Sequence, residues 1–199
     1  MSEEQVYPQA AIGYRLWAAE PVLSSLHALL RSDADLGLSA AKPEPLPRLY
    51  PINPIVQLAA ELAVSGPEAV DDAGAWKPGV NIAHCMSDPS HLQPPVEGCG
   101  CGLYAWHDPN QLDDPTHIFG AVLARGKLQI HHHGFRAQEV QVIGLLRDTY
   151  YLNPFWLQRV ADHYQVPLFD NIAALQEHAE TLGATVPESL RPAEPSLYE

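Results

Sequence analysis

The chain has 199 residues and a formal net charge of −13, from 24 acidic and 11 basic side chains. Its 46% apolar and 18% charged content is typical of a folded globular protein and excludes a largely disordered chain. The acidic balance argues against a broadly basic surface, so we expect no unaided binding to nucleic acid or to anionic membranes. The sequence predicts no membrane span and no secretory signal, and we expect a cytoplasmic protein.

The first third of the chain predicts one strand followed by two helices. Residues 12–17 are rich in β-forming side chains and alternate in part, which is typical of a strand. Leucines at helical spacing predict a short helix over 22–31. A proline in the first turn, preceded by an asparagine cap, predicts a second helix over 54–66. We therefore treat 12–66 as a largely helical flank and 1–10 as a loose tail.

Residues 76–150 change character and predict a β-rich core. Short segments with apolar, aromatic and β-branched side chains alternate with turn signals. They predict strands at 81–85 and 103–106, a hairpin of 118–124 and 127–133 that turns at Arg125-Gly126, and a strand at 135–146. Consecutive strands with short connections favour an antiparallel sheet or a small β-barrel.

The last third predicts a second helical flank over 153–183. An apolar stripe behind a first-turn proline predicts a helix over 154–164. A further helix is capped by Asn171 and ends at Gly183. Residues 187–199 contain three prolines and are expected to form another loose tail.

All three cysteines lie within seventeen residues and form the most specific motif of the chain. Cys85, Cys99 and Cys101 have His91 between them, and three thiolates with one imidazole complete a tetrahedral zinc set. Glycines on both sides of each cysteine in the Cys-Gly-Cys step free the backbone to turn both sulfurs toward one point. We therefore expect a single α+β domain over residues 1–199, whose sheet or barrel carries flanking helices and is stapled by structural zinc.

Two histidines compete with His91 for the fourth ligand position. His84 adjoins Cys85 and would point to the opposite face of a strand. His107 lies six residues beyond Cys101, about 20 Å along an extended strand. The thiols also fit two other roles, as small buried apolar side chains or as a Cys-Gly-Cys redox dithiol.

A second group of residues supports an alternative hypothesis, a metal-dependent enzyme. His131, His132 and His133 are consecutive, and side chains alternate along a strand, so only the first and third could share a metal. Glu139 is a candidate for a further ligand at this site. A catalytic zinc normally has three protein ligands and one open position.

A third hypothesis is a nucleic-acid reader that uses Arg125, Lys127 and Arg136. These bases lie in the part of the chain with the smallest excess of acids, seven against five bases over 76–150. Arg136 also has a structural interpretation, as a guanidinium paired in bidentate fashion with Glu139 or Asp148.

The segment Gly98–Ala105 carries a resemblance to a known group of proteins. Together with the steps Gly120-Ala121-Val122 and Gly134-Phe135-Arg136-Ala137, it resembles uncharacterised proteins of actinobacteria and their phages. In that group a Cys-x-Cys-Gly-x-Tyr-Ala segment precedes a hairpin and a Gly-Phe/Tyr-Arg-Ala step. The resemblance covers roughly 76–150 and implies no activity. The triple histidine is not part of its pattern.

The function that these observations favour is binding without catalysis. The sequence has no phosphate-binding glycine loop, no serine nucleophile elbow and no His-Glu-x-x-His motif. A closed four-ligand zinc site supplies folding energy rather than chemistry. We expect an interaction protein whose target is a protein with a basic surface, which acidic charge would attract, or a small ligand.

Overall fold

The computed structural model describes residues 10–19, 48–51, 75–85, 87–111, 117–147 and 154–193. Eight strands lie in this part of the chain: β1 (Ala11–Ala19), β2 (Leu49–Pro51), β3 (Val80–Ile82), β4 (Leu103–Trp106), β5 (Ile118–Ile130), β6 (Gly134–Leu146), β7 (Leu168–Phe169) and β8 (Ala184–Thr185). Two helices follow the long strands, α1 (Pro154–Tyr164) and α2 (Ile172–Leu182). Short 3₁₀ turns form at Pro109–Gln111 and Glu188–Leu190. No helix in these ranges is long and apolar enough to cross a membrane.

All eight strands belong to one sheet, organised around β5 and β6. These two long strands pair antiparallel with each other, β5 pairs with β1, and β6 pairs with β3 and β4. A single pair, Tyr14 with Trp106, joins β4 back to β1, so the pairing runs in a closed circuit of four strands. Next to that pair, the guanidinium of Arg15 donates a hydrogen bond to the Tyr104 carbonyl oxygen. The predicted combination of a large sheet with helices is confirmed; the long strands pair antiparallel, as expected, but β7 and β8 add parallel pairs, so the sheet is mixed.

The sheet extends beyond the predicted core. The strand predicted over 12–17 is confirmed as β1, and it pairs with β5 along seven positions from Ala11–Ala124 to Trp17–Ile118. The described parts of the flank 12–66 are therefore strands of the sheet itself. The helices predicted over 22–31 and 54–66 lie outside the described residues.

The predicted hairpin at Arg125-Gly126 is wrong. Residues 118–130 form one continuous strand, and the chain reverses later, at the loop 131–133. Gly126 has a φ of +74° at a register shift between β5 and β6, so it forms a bulge. The side-chain oxygen of Gln138 accepts the Lys127 backbone N–H at 3.2 Å, which satisfies a donor near the shift. A glycine with a positive φ is compatible with a turn and with a bulge. Gly126 forms a bulge because β5 continues to pair with β6 on both sides of it.

Two apolar layers lie on opposite faces of the sheet. Side chains along β1 point alternately to the two faces of the sheet. Ala11 and Trp17 therefore belong to one core, and Ile12 and Tyr14 belong to the other. Helix α1 covers the first core with a stripe of buried side chains at helical spacing, Leu157, Val160, Ala161 and Tyr164. Helix α2 covers the second core with Leu175 and Ala179.

Both predicted C-terminal helices are confirmed. The Asn171 side chain accepts the Ala174 N–H at 2.9 Å and caps α2 as expected. The residues after α2 differ from the prediction. Ala184–Thr185 add a parallel strand beside β1, and residues 187–193, assigned to a loose tail, include a 3₁₀ turn and contact the sheet end. Residues 194–199 lie outside the described chain.

Strands β3 and β4 lie in line along the same edge of β6. Ile82 pairs with Glu139, the Ala83 N–H donates to the Gln138 carbonyl oxygen at 2.7 Å, and Leu103 pairs with Ala137. The strand predicted at 81–85 thus ends at Ile82. The loop that follows leaves the edge of β6 opposite Gln138 and returns to it opposite Ala137, the neighbouring residue. This loop, residues 84–102, carries all of the predicted metal ligands.

Candidate metal centre

The four predicted ligands converge in the loop 84–102. The Cys85 and Cys99 Sγ atoms are 3.7 Å apart, and Cys85 Sγ lies 3.3 Å from His91 Nδ1. These atoms and Cys101 Sγ all lie within 4.8 Å of one another. The three cysteines are free thiols and half-buried. The predicted residues therefore form one cluster that could hold a metal ion.

Two of the distances within this cluster are close to the edges of a zinc tetrahedron. With Zn–S bonds of about 2.3 Å and Zn–N bonds of about 2.0–2.1 Å, the edges of the tetrahedron are about 3.8 Å between sulfurs and about 3.6 Å from sulfur to nitrogen. The measured 3.7 Å and 3.3 Å are close to these edges. A disulfide would need about 2.05 Å. The Cys85–Cys99 spacing thus excludes a disulfide, and it is compatible both with two ligands of one ion and with two thiols in contact.

Asp88 orients two of the candidate ligands. Its carboxylate oxygen Oδ2 lies 3.5 Å from His91 Nε2, the ring nitrogen that faces away from Cys85. Its backbone N–H donates to Cys85 Sγ at 3.4 Å. Hydrogen bonds from Ser90 hold the pKa of Asp88 below its ordinary value, with a smaller effect from His91. A carboxylate behind a ligating imidazole is a recurrent feature of zinc sites, and sequence reasoning did not identify this residue.

Arg136, on strand β6, connects the Cys-Gly-Cys step to the sheet by hydrogen bonds. Its guanidinium donates to the carbonyl oxygens of Cys99 and Cys101, to Gln129 Oε1 at 2.7 Å, and to His131 Nε2 at 3.1 Å. The predicted ion pair with Glu139 does not form, because the partners of the guanidinium are two loop carbonyls, Gln129 and His131, and none of them is a carboxylate. Asp148 lies outside the described residues. The strong donors of a guanidinium here satisfy loop carbonyls instead of a carboxylate.

Two thiols of the cluster differ in acidity. The pKa of Cys99 is lowered, mainly by the backbone N–H of Cys101 and further by its other neighbours, Arg136 among them. Burial raises the pKa of Cys101. Cys99 is therefore the thiol of this pair that ionises more readily, and a metal ion would have to displace the proton of Cys101.

The other predicted site residues stay apart from the cluster. His84 is exposed, and His107 is buried at the far end of β4, where its Nε2 contacts the His131 carbonyl oxygen at 3.1 Å. His131 and His133 lie in a tight loop and not on a strand, so the alternation argument for a shared metal does not apply to them. Among the described residues, the only group of three or more potential ligands is the cysteine–histidine cluster.

The three bases of the nucleic-acid hypothesis do not act as a unit. Arg125 is exposed beside the bulge, whereas Arg136 is half-buried and donates its hydrogen bonds inside the protein. Of the three bases, only Arg125 and Lys127 therefore remain candidates for contacting nucleic acid.

Comparisons with protein-family models, with curated proteins and with solved structures give no match to this chain.

Proposed function

We propose that this protein is a non-enzymatic binding module whose loop 84–102 is held by one structural zinc ion. The observation that carries the proposal is the convergence of Cys85, His91, Cys99 and Cys101 within 4.8 Å. Four nitrogen and sulfur ligands fill a tetrahedron and leave no position for a water or a substrate. A metal held in this way stabilises a loop and performs no reaction.

The strand pairing supports this structural role. The two ends of the loop are fixed beside each other on β6. A zinc ion would fix the middle of the loop, where the described backbone has no regular secondary structure. The loop would then present a defined surface, on which Leu92 is 87% exposed.

The expected target is a protein with a basic surface or a small ligand. A net charge of −13 attracts a basic partner over long range and accelerates its encounter. The same charge opposes unaided binding to duplex nucleic acid. We expect association with a basic protein to weaken as salt is added, because salt screens surface charges.

Metal analysis of the purified protein tests the zinc part of this proposal. We expect one zinc ion per chain, thiols that react slowly with a thiol reagent, and rapid reaction after a chelator removes the metal. Substitution by Co²⁺ should give the visible absorption of a tetrahedral thiolate site. Metal-free protein whose three thiols react at once under native conditions would contradict the proposal.

A pair of histidine variants tests the ligand set. His91→Ala should lower zinc affinity strongly, whereas His84→Ala should leave it unchanged, since the exposed His84 is outside the cluster. Equal zinc affinity in the two variants would remove His91 from the site. Limited proteolysis locates the effect, because metal loss should expose the loop 84–102 to cleavage first.

A further inference from the structure

Two sulfur atoms of the candidate metal cluster lie in direct contact. Cys85 Sγ and Cys99 Sγ are 3.7 Å apart, and both residues are partly exposed, which leaves room for a small oxidant to approach. A disulfide bond requires about 2.05 Å between its sulfurs. The two thiols are therefore unbonded here, and they need to approach each other by only about 1.7 Å in order to bond.

The chain on both sides of Cys99 has room for this movement. Gly98 and Gly100 are exposed, and no heavy atom lies within 4 Å of the position that a Cβ would take at either residue. Two hydrogen bonds hold the Cys99 backbone, one from its N–H to the Val96 carbonyl oxygen and one from Arg136 to its own carbonyl oxygen. Rotation of the cysteine side chains leaves both of these hydrogen bonds intact.

Cys101 lies next to a more confined position than Cys99 does. The following residue, Gly102, has a φ of +119°, and a Cβ there would lie 3.0 Å and 3.1 Å from two neighbouring side chains. A bond between Cys99 and Cys101 would also close a small ring across Gly100 alone. The pair that can bond with the least rearrangement of the chain is therefore Cys85 with Cys99.

We propose that hydrogen peroxide joins Cys85 and Cys99 in a reversible disulfide, and that this bond expels the zinc ion from the cluster. The release of zinc rests on the proposed function, whereas the pairing of the sulfurs rests on the contact between the two thiols. This pair differs from the Cys-Gly-Cys dithiol that the sequence suggests, which would join Cys99 to Cys101.

The oxidation consists of two steps. One thiolate attacks hydrogen peroxide, so that the O–O bond breaks, an S–O bond forms, and two electrons pass from sulfur to the departing hydroxide. The second thiolate attacks the sulfur of this sulfenic acid, so that the S–S bond forms, the S–O bond breaks and a second hydroxide leaves. Two protons from the solvent convert the hydroxides to water. Hydrogen peroxide is the oxidant, and the two cysteines together are the reductant.

The new bond removes two of the four candidate ligands. Cys101 and His91 remain, and two protein ligands are fewer than the three or four that zinc sites use, so the ion dissociates. The bond also joins the two ends of the segment 86–98. The change is therefore concentrated at His91 and at its neighbour Leu92, which is 87% exposed. Oxidation would alter the surface that the loop 84–102 presents, while strands β3 and β4 stay paired with β6.

Peroxide treatment of the purified zinc protein tests the proposal. We expect one zinc ion to be released for each disulfide formed, as measured with a coloured zinc chelator. Peptide mapping by mass spectrometry without reduction should find Cys85 joined to Cys99, and a dithiol reductant with added zinc should restore the starting state. The proposal is overturned if zinc stays bound, if another pair of cysteines is joined, or if the thiols are oxidised only to sulfinic acids.

Two serine variants form a matched pair, because each removes one candidate ligand. Cys101→Ser keeps the proposed pair and should still form the Cys85–Cys99 disulfide in peroxide. Cys85→Ser keeps only Cys99 and Cys101 and should form an intramolecular disulfide at least roughly tenfold more slowly. Equal rates in the two variants would overturn the assignment of the pair. Peptide mapping of the original protein provides a test that does not depend on the folding of either variant.

Zinc content before oxidation separates this proposal from the proposed function. Protein that contains no zinc but joins Cys85 to Cys99 would reject the metal centre and support the pairing of the sulfurs. Protein that contains zinc and keeps it in peroxide would reject the redox switch and leave the metal centre in place.

Discussion

Arg136 on the central strand β6 donates a hydrogen bond to the carbonyl oxygen of Cys99, in the loop that carries the candidate metal centre. The same guanidinium reaches the carbonyl of Cys101, so one side chain holds both ends of the Cys-Gly-Cys step. Thirty-five residues separate Arg136 from Cys101, and the pairing of β4 with β6 brings them together. The position of two candidate ligands thus depends on the sheet.

The first prediction concerns this arginine. Arg136→Lys keeps the charge but loses the planar group that donates to several acceptors at once. We expect the free energy of unfolding to fall by about 1.5–3 kcal/mol and zinc affinity to fall by about 10–100-fold. Chemical denaturation and competition with a zinc chelator measure the two effects. Arg125→Lys, at an exposed position, is the control. Indistinguishable results for the two variants would show that Arg136 does not support the loop.

The second prediction concerns Asp88. Asp88→Asn removes the charge that faces His91 Nε2 while keeping the size of the side chain. Zinc affinity should fall by about 10–100-fold, because partners behind a metal ligand orient it and raise its basicity. Asp170→Asn serves as the control, because this carboxylate follows β7 directly, is 80% exposed, pairs with Arg147 and is not part of the cysteine–histidine cluster. If zinc affinity is the same in both variants, Asp88 does not contribute to the site.

The third prediction compares two glycines of the loop 84–102. Gly102 has a φ of +119°, and a Cβ there would lie 3.0 Å from Arg136 Cβ and 3.1 Å from Pro95 Cβ. Gly100 has open space around its missing Cβ. Gly102→Ala should destabilise the protein by at least about 1–2 kcal/mol, since side chains rarely adopt a positive φ. Gly100→Ala should change stability by less than about 1 kcal/mol. Thermal unfolding distinguishes the two, and the opposite order would refute the described loop conformation.

The fourth prediction is a pH dependence that originates at His107. Burial is the main cause that lowers its pKa to about 4, from an ordinary value of about 6.5. The unfolded chain therefore binds a proton that the folded protein excludes, and stability falls as pH decreases from about 6.5 to about 4. This lowering of the His107 pKa corresponds to about 3 kcal/mol of folding stability that is present near pH 7 and lost in acid.

A variant comparison isolates the contribution of His107 from that of the other titratable groups. The stability difference between the original protein and His107→Asn should shrink by up to about 3 kcal/mol between pH 7.5 and pH 4. The exposed His84→Asn variant should show no such change. A difference for His107→Asn that stays constant across this pH range would contradict the prediction.

Sequence reasoning was most successful where the chemistry is local. The clustering of Cys85, His91, Cys99 and Cys101 could be predicted because ligand type and loop glycines are visible in a short segment. Helices α1 and α2 were also predictable, because an apolar stripe and an asparagine or proline at the first turn are local signals. The pairing of β1 with β5 could not be predicted, since it joins distant segments and is decided by packing.

The errors share one physical cause, which is that strand pairing decides between locally equivalent conformations. Gly126 was assigned to a turn, but β6 continues beside it and makes it a bulge. Because of that error, the predicted reversal of the chain lay at 125–126 instead of 131–133. His131, His132 and His133 were therefore predicted to lie on a strand. The two-residue strands β7 and β8 exist only because β6 and β1 offer free edges to them. Asp88 was missed and Arg136 was given the wrong partners, because the contacts of both residues form only across the folded loop.

The in-line arrangement of β3 and β4 has a consequence for how the molecule is assembled. Ala83 and Leu103 occupy successive positions against Gln138 and Ala137, as two neighbours within one uninterrupted strand would. Residues 84–102 thus leave and rejoin one continuous line of pairing, and we expect a chain in which Ala83 is joined directly to Leu103 to fold into the same sheet without zinc. In that case a bound metal would determine the conformation of the loop 84–102 and what the loop binds, and removing the metal would leave the sheet folded.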